Sequence, residues 1–192
     1  APVAELIDAP IVTSKGQGFE VETIWRTTPL APRTPFDQAV AALVITAEAE
    51  SQDIGGSLLV FLPGERDIRR VEARLTKALP RACHVKPLFG AMAFEAQRAA
   101  LAPAPSGRNV ILATSIAETS LTLPDIRVVV DSGRARRARF DLGSGMSRLV
   151  TERVSRAEAR QRQGRAGRVA AGRCYRMWTK GEEGALPAFA PA

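Results

Sequence analysis

Apolar and polar positions follow two different rhythms along this chain, and the rhythms take turns. "FEVETIW" (Phe19 to Trp25) alternates as a half-buried strand does, and "PFDQAVAALVITAEAE" (Pro35 to Glu50) puts Phe36, Val40, Leu43 and Val44 on one helical face. "SLLVFL" (Ser57 to Leu62) is an unbroken apolar run, the pattern of a strand buried on both sides; Ile68, Val71, Leu75 and Leu79 then return to helical spacing between Glu65 and Leu79. The series continues with "CHVKPLF", a helix around "FEAQRAAL", then "NVILAT" (Asn109 to Thr114) and "RVVVD" (Arg127 to Asp131). Repeated strand–helix alternation predicts an α/β fold, a mainly parallel sheet flanked by helices on both faces. Ligands of such sheets sit beyond the carboxyl ends of the strands, which places "PGERD", "TSIAETSLT" and "DSGRARR" on one rim.

Between residues 135 and 154 the rhythm breaks. "ARRARFDLGSGMSRLVTERV" centres on a turn-like Leu142 to Gly145, so it reads as an inserted β-hairpin carrying Arg137, Arg139, Arg148 and Arg153. Ser155 and Glu158 form an S-x-x-E capping box, which starts a helix near Arg156. Gly164 is expected to end that helix, with a turn through "GRAGR" before the strand-like "RCYRMW" (Arg173 to Trp178).

Length and composition narrow the picture. With 192 residues, 45% of them hydrophobic, one well-cored domain is expected. No apolar run reaches the roughly eighteen residues of a membrane span, and "APVAELIDAP" lacks the layout of a secretory signal, so a cytoplasmic protein is expected. Cys83 and Cys174 lack metal-type spacing and His84 has no evident partner; they read as strand residues, and no metal site is expected. Charge is more telling. From Arg134 to Arg176 thirteen arginines face only Asp141, Glu152 and Glu158, a local balance of +10 in a chain of net charge +7, which leaves −3 elsewhere. A solvated face would mix lysine with arginine and both signs; arginine alone, with its planar fork, suits phosphate oxygens.

Two stretches could bind phosphate. Thr114, Ser115, Thr119, Ser120 and Thr122, with only Glu118 among them, form a loop of hydroxyls and backbone N–H groups, although the same residue types also cap helices. In "RQRQGRAGRV" (Arg160 to Val169), Arg165 and Arg168 lie three apart around Gly167 and can converge on one anion, while Gln161 adds a group suited to orienting water. A purely structural role, with these arginines held by Glu118 or Asp131, is the competing reading.

"QRQGRAGR" (Gln161 to Arg168) resembles helicase motif VI in the form typical of DEAH-box RNA helicases. "LLVFLPG" (Leu58 to Gly64) resembles motif IV, "LATSIAETSLT" (Leu112 to Thr122) motif V, and "VVVDSG" (Val128 to Gly133) the strand after it. Order, spacing and hairpin are similar to the second RecA-like domain of that family, a P-loop NTPase type of fold, and the stretch around the hairpin with the tail "ALPAFAP" is most like a bacterial branch. Neither a G-x-x-x-x-G-K-[ST] loop nor a D-E-A-H stretch occurs, so the resemblance implies that ATP and Mg2+ are bound mainly by the first RecA-like domain of the same polypeptide. The chain then reads as a single excised domain over 1–192, without the family's winged-helix and later domains, and is expected to be inactive alone.

Residue by residue, the resemblance implies that Arg165 and Arg168 act as arginine fingers on ATP and that Gln161 helps to place the attacking water. Thr122, Leu101, Gly164 and Gly167 fall at nucleotide-contacting positions. Gly64, Glu65, Thr114 and Ser115 fall where the family faces single-stranded RNA without regard to sequence, and Arg139 and Arg148 of the hairpin join them. Three positions depart from the family: Ser115 stands where asparagine is frequent, Pro124 where an acidic residue is common, and Leu101 where many relatives stack an aromatic ring on the base. Leucine packs without a π face, which implies weak discrimination among nucleoside triphosphates. The alternative from another class is a nucleic-acid-binding module with no catalytic duty.

Overall fold

A computed structural model describes residues 18–115, 123 and 125–191. Strands β1 (Val21–Arg26), β2 (Ser57–Phe61), β3 (Cys83–Leu88), β4 (Arg108–Ala113), β5 (Ile126–Asp131) and β8 (Gly172–Thr179) form one sheet in the order β1-β8-β5-β2-β4-β3, every neighbouring pair parallel. Helices α1 (Phe36–Glu50), α2 (Glu65–Ala78) and α3 (Phe94–Leu101) fill the connections. The α/β expectation therefore holds, with boundaries within two residues of those read from the pattern.

The apolar run of β2 explains the layering. Leu58 and Val60 point into a core formed with Val40 and Val44 of α1 and Ile68, Val71 and Leu75 of α2. Leu59 and Phe61, one pleat away, point into a second core with Ile111, Val129, Ala166 and Cys174. A strand buried on both faces must be apolar at successive positions, which is why it shows no alternation in sequence. Burial also sets the cysteines: it pushes the Cys174 thiol up to about 12, helped by the charge of Asp131, and the half-buried Cys83 thiol up to about 11, helped by Glu48.

The insertion is the hairpin expected, β6 (Arg134–Asp141) and β7 (Met146–Arg153), a separate two-stranded sheet. Its turn is closed by the Gly145 N–H donating to the Asp141 carbonyl at 2.8 Å, with Gly145 at φ 68°, a conformation glycine adopts without penalty. Helix α4 (Arg156–Gly164) begins with both halves of the capping box: Glu158 N–H donates to Ser155 Oγ (3.1 Å), and Ser155 N–H donates to Glu158 Oε1 (2.9 Å). It ends at Gly164, as expected. Gly164 stays helical (φ −58°, ψ −22°), and the chain tightens into a 3-10 turn, Arg165–Gly167, that buries Ala166 in the second core. A short helix α5 (Lys180–Glu183) follows β8.

One carboxylate ties hairpin to helix. Glu158 accepts from Arg137 at 2.6 and 2.8 Å while it caps α4. Burial alone would raise its pKa, but the Arg137 guanidinium and the Ser155 N–H outweigh that and hold it at about 2. A depressed carboxylate stabilises the fold fully above its unfolded value near 4.5, and that contribution is lost as pH falls toward 2. Chemical denaturation between pH 7 and 2 should therefore show a loss of up to about 3 kcal/mol across this window, absent in the Glu158→Gln variant. An identical acid profile for the two proteins would contradict the assignment.

Candidate functional site

Where they are described, the strand-following segments share one rim. Leu62 N–H donates to the Ala113 carbonyl (2.8 Å), Ser132 N–H to the Phe61 carbonyl (3.3 Å) and Thr114 N–H to the Leu88 carbonyl (3.3 Å), so the exits of β2, β3, β4 and β5 are laced together. Gly64 is the residue before α2 and carries no capping side chain; the Arg136 guanidinium lies so close that a Cβ on Gly64 would sit 3.0 Å from Nη1. Glu65 and Ser115 are exposed and Thr114 is half-buried. A carboxylate repels phosphate, so at Glu65 the group available to an anion is the backbone N–H at the start of α2. Thr122, Glu118, Thr119, Ser120 and Pro124 lie outside the described residues.

The arginine turn is built around a residue that sequence reasoning passed over. Arg162 is 0% exposed, and its Nη1 donates to Asp131 Oδ1 at 2.8 Å and to the Arg134 carbonyl at 3.2 Å, with the guanidinium 4.9 Å from the Phe61 ring centre. Asp131 Oδ1 also accepts from Gly133 N–H at 2.8 Å. One side chain thus joins β2, β5, the start of the hairpin and α4. The next residue, Gln163, accepts from Arg176 Nη2 at 2.6 Å, and Arg176, which also pairs with Glu183, lies between the rings of Trp25 (5.7 Å) and Trp178 (5.4 Å). Arg136, Arg162 and Arg176 are the functional-region arginines that motif spacing did not single out; Gly64, Asp131 and Trp25, which they meet, are distant in sequence, and only an aspartate at a strand end hinted at one.

On this frame Gln161 and Arg168 are exposed, whereas Arg165 is 4% exposed. The competing idea that Asp131 holds Arg165 or Arg168 meets the fact that its bonded oxygen serves Arg162. Gly164 has open space where a Cβ would stand; Gly167 does not, because a Cβ there would lie 2.6 Å from the Phe19 carbonyl oxygen. Leu101 is half-buried against the second core. In the hairpin, Arg139 is held by Glu152 at 2.7 and 2.6 Å, while Arg148 is exposed with no ion pair among the described residues. Arg134, Arg136, Arg156, Arg160 and Arg168 share that condition, so the free positive charge is smaller than the arginine count. Among the described residues no three carboxylate, histidine or cysteine side chains come together as a metal's ligand set.

A parallel six-stranded sheet, an inserted hairpin and an arginine turn clamped to the central strand define a helicase-type second RecA-like domain, and the family described as "Helicase conserved C-terminal domain" matches residues 38–170. The chain belongs to that family, as the C-terminal RecA-like domain of a DEAH/RHA helicase. It is 49% identical over 168 residues to the ATP-dependent RNA helicase HrpB of Escherichia coli (strain K12), covering 87% of this chain and 20% of HrpB. To HrpA of the same organism it is 36% identical over 185 residues, 95% of this chain and 14% of HrpA. The crystal structure of the E. coli DExH-box NTPase HrpB superposes with a TM-score of 0.83 at 43% identity, covering 99% of this chain and 23% of that one. The chain thus spans about a fifth of the length of HrpB.

Removing one partner of a fully buried pair leaves an uncompensated charge, which costs about 3–5 kcal/mol. Urea denaturation of Arg162→Gln should show a loss of that size, with part recovered when Asp131→Asn is added. A loss below about 1 kcal/mol would mean that the pair is not what holds the turn.

Proposed function

We propose that this domain supplies the arginine fingers and part of the RNA track of an ATP-dependent DEAH-box RNA helicase. The observation that carries the reading is the state of the "QRQGRAGR" turn: its backbone is fixed from behind by Arg162 and by the Arg176–Gln163 bond, while Arg168 and Gln161 face outward beside the open Gly164. Fixed guanidinium groups stabilise charge on a transferring phosphoryl group because they need no reorganisation as that charge develops. Arg165 and Arg168 act on the γ-phosphate of ATP bound by the first RecA-like domain, and Gln161 orients the water. Thr122, Gly164, Gly167 and Leu101 adjoin the nucleotide.

ATP supplies the phosphoryl group and the first RecA-like domain supplies Mg2+ binding. Single-stranded RNA lies along the rim, held through its backbone by Thr114, Ser115, Gly64 and the Glu65 N–H, with Arg148 of the hairpin as a free cation and Arg139 shared with Glu152. Contacts of this kind carry little base preference. ATP-driven closure of the two domains brings the turn across the cleft, and hydrolysis releases it.

ATPase of the full-length protein, with and without single-stranded RNA, tests the reading. Arg168→Ala should lower kcat by about three orders of magnitude with the denaturation midpoint unchanged, and Arg168→Lys should not restore it. Unchanged hydrolysis, with RNA binding weakened, would favour a binding module without catalytic duty. For the base, loss of a stacking ring is worth about 1 kcal/mol, so kcat/KM for ATP and GTP should agree within about tenfold; strict ATP selectivity would remove Leu101 from the nucleotide site.

A further inference from the structure

At the carboxyl ends of β5 and β8 lies a pocket of about 210 Å3 whose wall includes Ser132, Gly133, Arg134, Arg153, Trp178 and Glu182. Two polar groups there are orphaned: the Ser132 hydroxyl (residue 3% exposed) and the Trp178 indole N–H (4%) have no hydrogen-bond partner among the described residues. Buried donors are normally satisfied, and each exception calls for a missing partner. An independent observation points to the charge of that partner. Arg134 and Arg153 stand directly opposite each other in the hairpin register, on the same face, an arrangement that is unfavourable for like charges unless an anion lies near both.

Neither arginine is neutralised by the protein alone. Arg134 lies 4.1 Å over the Phe36 ring, and Arg153 reaches Glu182 only at 3.9 Å. Glu182 is the one carboxylate in the wall, and its Oε1 already accepts from Thr179 N–H at 3.0 Å. Two cations against one half-committed carboxylate give the wall a net positive charge suited to an oxyanion, with the unpartnered Ser132 hydroxyl and Trp178 indole N–H buried in residues that line it beside the apolar Leu30, Met177 and Leu186. Gly133 completes it: at φ 78° the backbone passes so close to Trp178 that a Cβ would meet the ring at 3.0 Å.

We propose that this pocket binds a phosphate group of the RNA backbone, extending the track past Gly64 toward β8. The inference rests on the rim reading above. Continuity with the rim supports it, since Ser132 N–H is bonded to the Phe61 carbonyl and Arg136, two residues beyond Arg134 on the same hairpin face, covers Gly64.

The test uses full-length protein and fluorescently labelled single-stranded oligo(U), with affinity read by anisotropy over a range of salt. Arg134→Gln combined with Arg153→Gln should weaken binding about tenfold and make the log–log salt slope shallower by about 0.7 for each phosphate that is no longer neutralised. The thermal midpoint without RNA should not fall, because two opposed cations have been removed. Ser132→Ala, which alters no charge, should weaken binding several-fold and guards against misfolding of the double variant. Inorganic phosphate should raise the midpoint of the wild type and not of the double variant. If phosphate does so while RNA affinity and slope are unchanged, the pocket takes a free anion and the RNA proposal is overturned. If Thr114→Ala and Arg148→Gln weaken RNA binding but the pocket variants do not, the pocket falls and the rim stands; if none of them does, the rim reading fails first.

Discussion

The contact between Arg162 and Asp131 is the constraint on which the rest of this domain turns. Both side chains are fully shielded from water, where an isolated charge would be prohibitively costly, so the pair exists only because each charge compensates the other and the remaining donors find the Arg134 carbonyl. A buried pair of this kind is weak evidence for stability and better evidence for geometry: the guanidinium fork accepts its partners in one arrangement, and that arrangement fixes α4 against the end of β5. The same aspartate receives the Gly133 N–H and so sets the exit toward the hairpin. Hairpin, rim and arginine turn are positioned by one ion pair.

Around it the arginines divide by burial and not by position in the sequence. Arg137, Arg139, Arg162, Arg173 and Arg176 are spent on carboxylates of the chain itself, holding elements together. Arg134, Arg136, Arg148, Arg156, Arg160 and Arg168 remain exposed and without an ion pair among the described residues. The net positive field therefore comes from a minority of the cluster, on surfaces where a polyanion can approach. Long-range attraction from these charges falls with salt, whereas the Arg162–Asp131 pair keeps its geometry because water and ions do not reach it.

Local rules made much of this readable from the residues. The inner strands β2, β4 and β5 announced themselves as apolar runs because both faces are covered, the capping box of Ser155 and Glu158 is a four-residue signal, and "LGSG" marks a hairpin turn by its own chemistry. What the residues did not disclose depends on partners far apart in the chain. Arg162 and Asp131 are separated by 31 positions, Arg176 meets Trp25 on a different strand, and Arg136 covers a glycine more than seventy residues earlier. Gly164 ends α4 as its residue type suggested, and burial of Ala166 draws the chain on into a 3-10 turn. The roles of Gln161, Arg165 and Arg168 came from resemblance and physical argument together, since spacing alone leaves a structural role open.

Under the proposed function the turn meets a phosphoryl group held by another domain, and its value there lies in complementarity to the transition state and not to the ground state. The most direct measurement compares the affinities of wild-type and Arg168→Ala full-length protein for ADP and for ADP with fluoroaluminate, a mimic of the transferring phosphoryl group. A finger that acts on developing charge predicts that affinity for the mimic collapses in the variant while affinity for ADP stays the same. Equal affinity of both proteins for the mimic, or an equal loss for both ligands, would contradict the account.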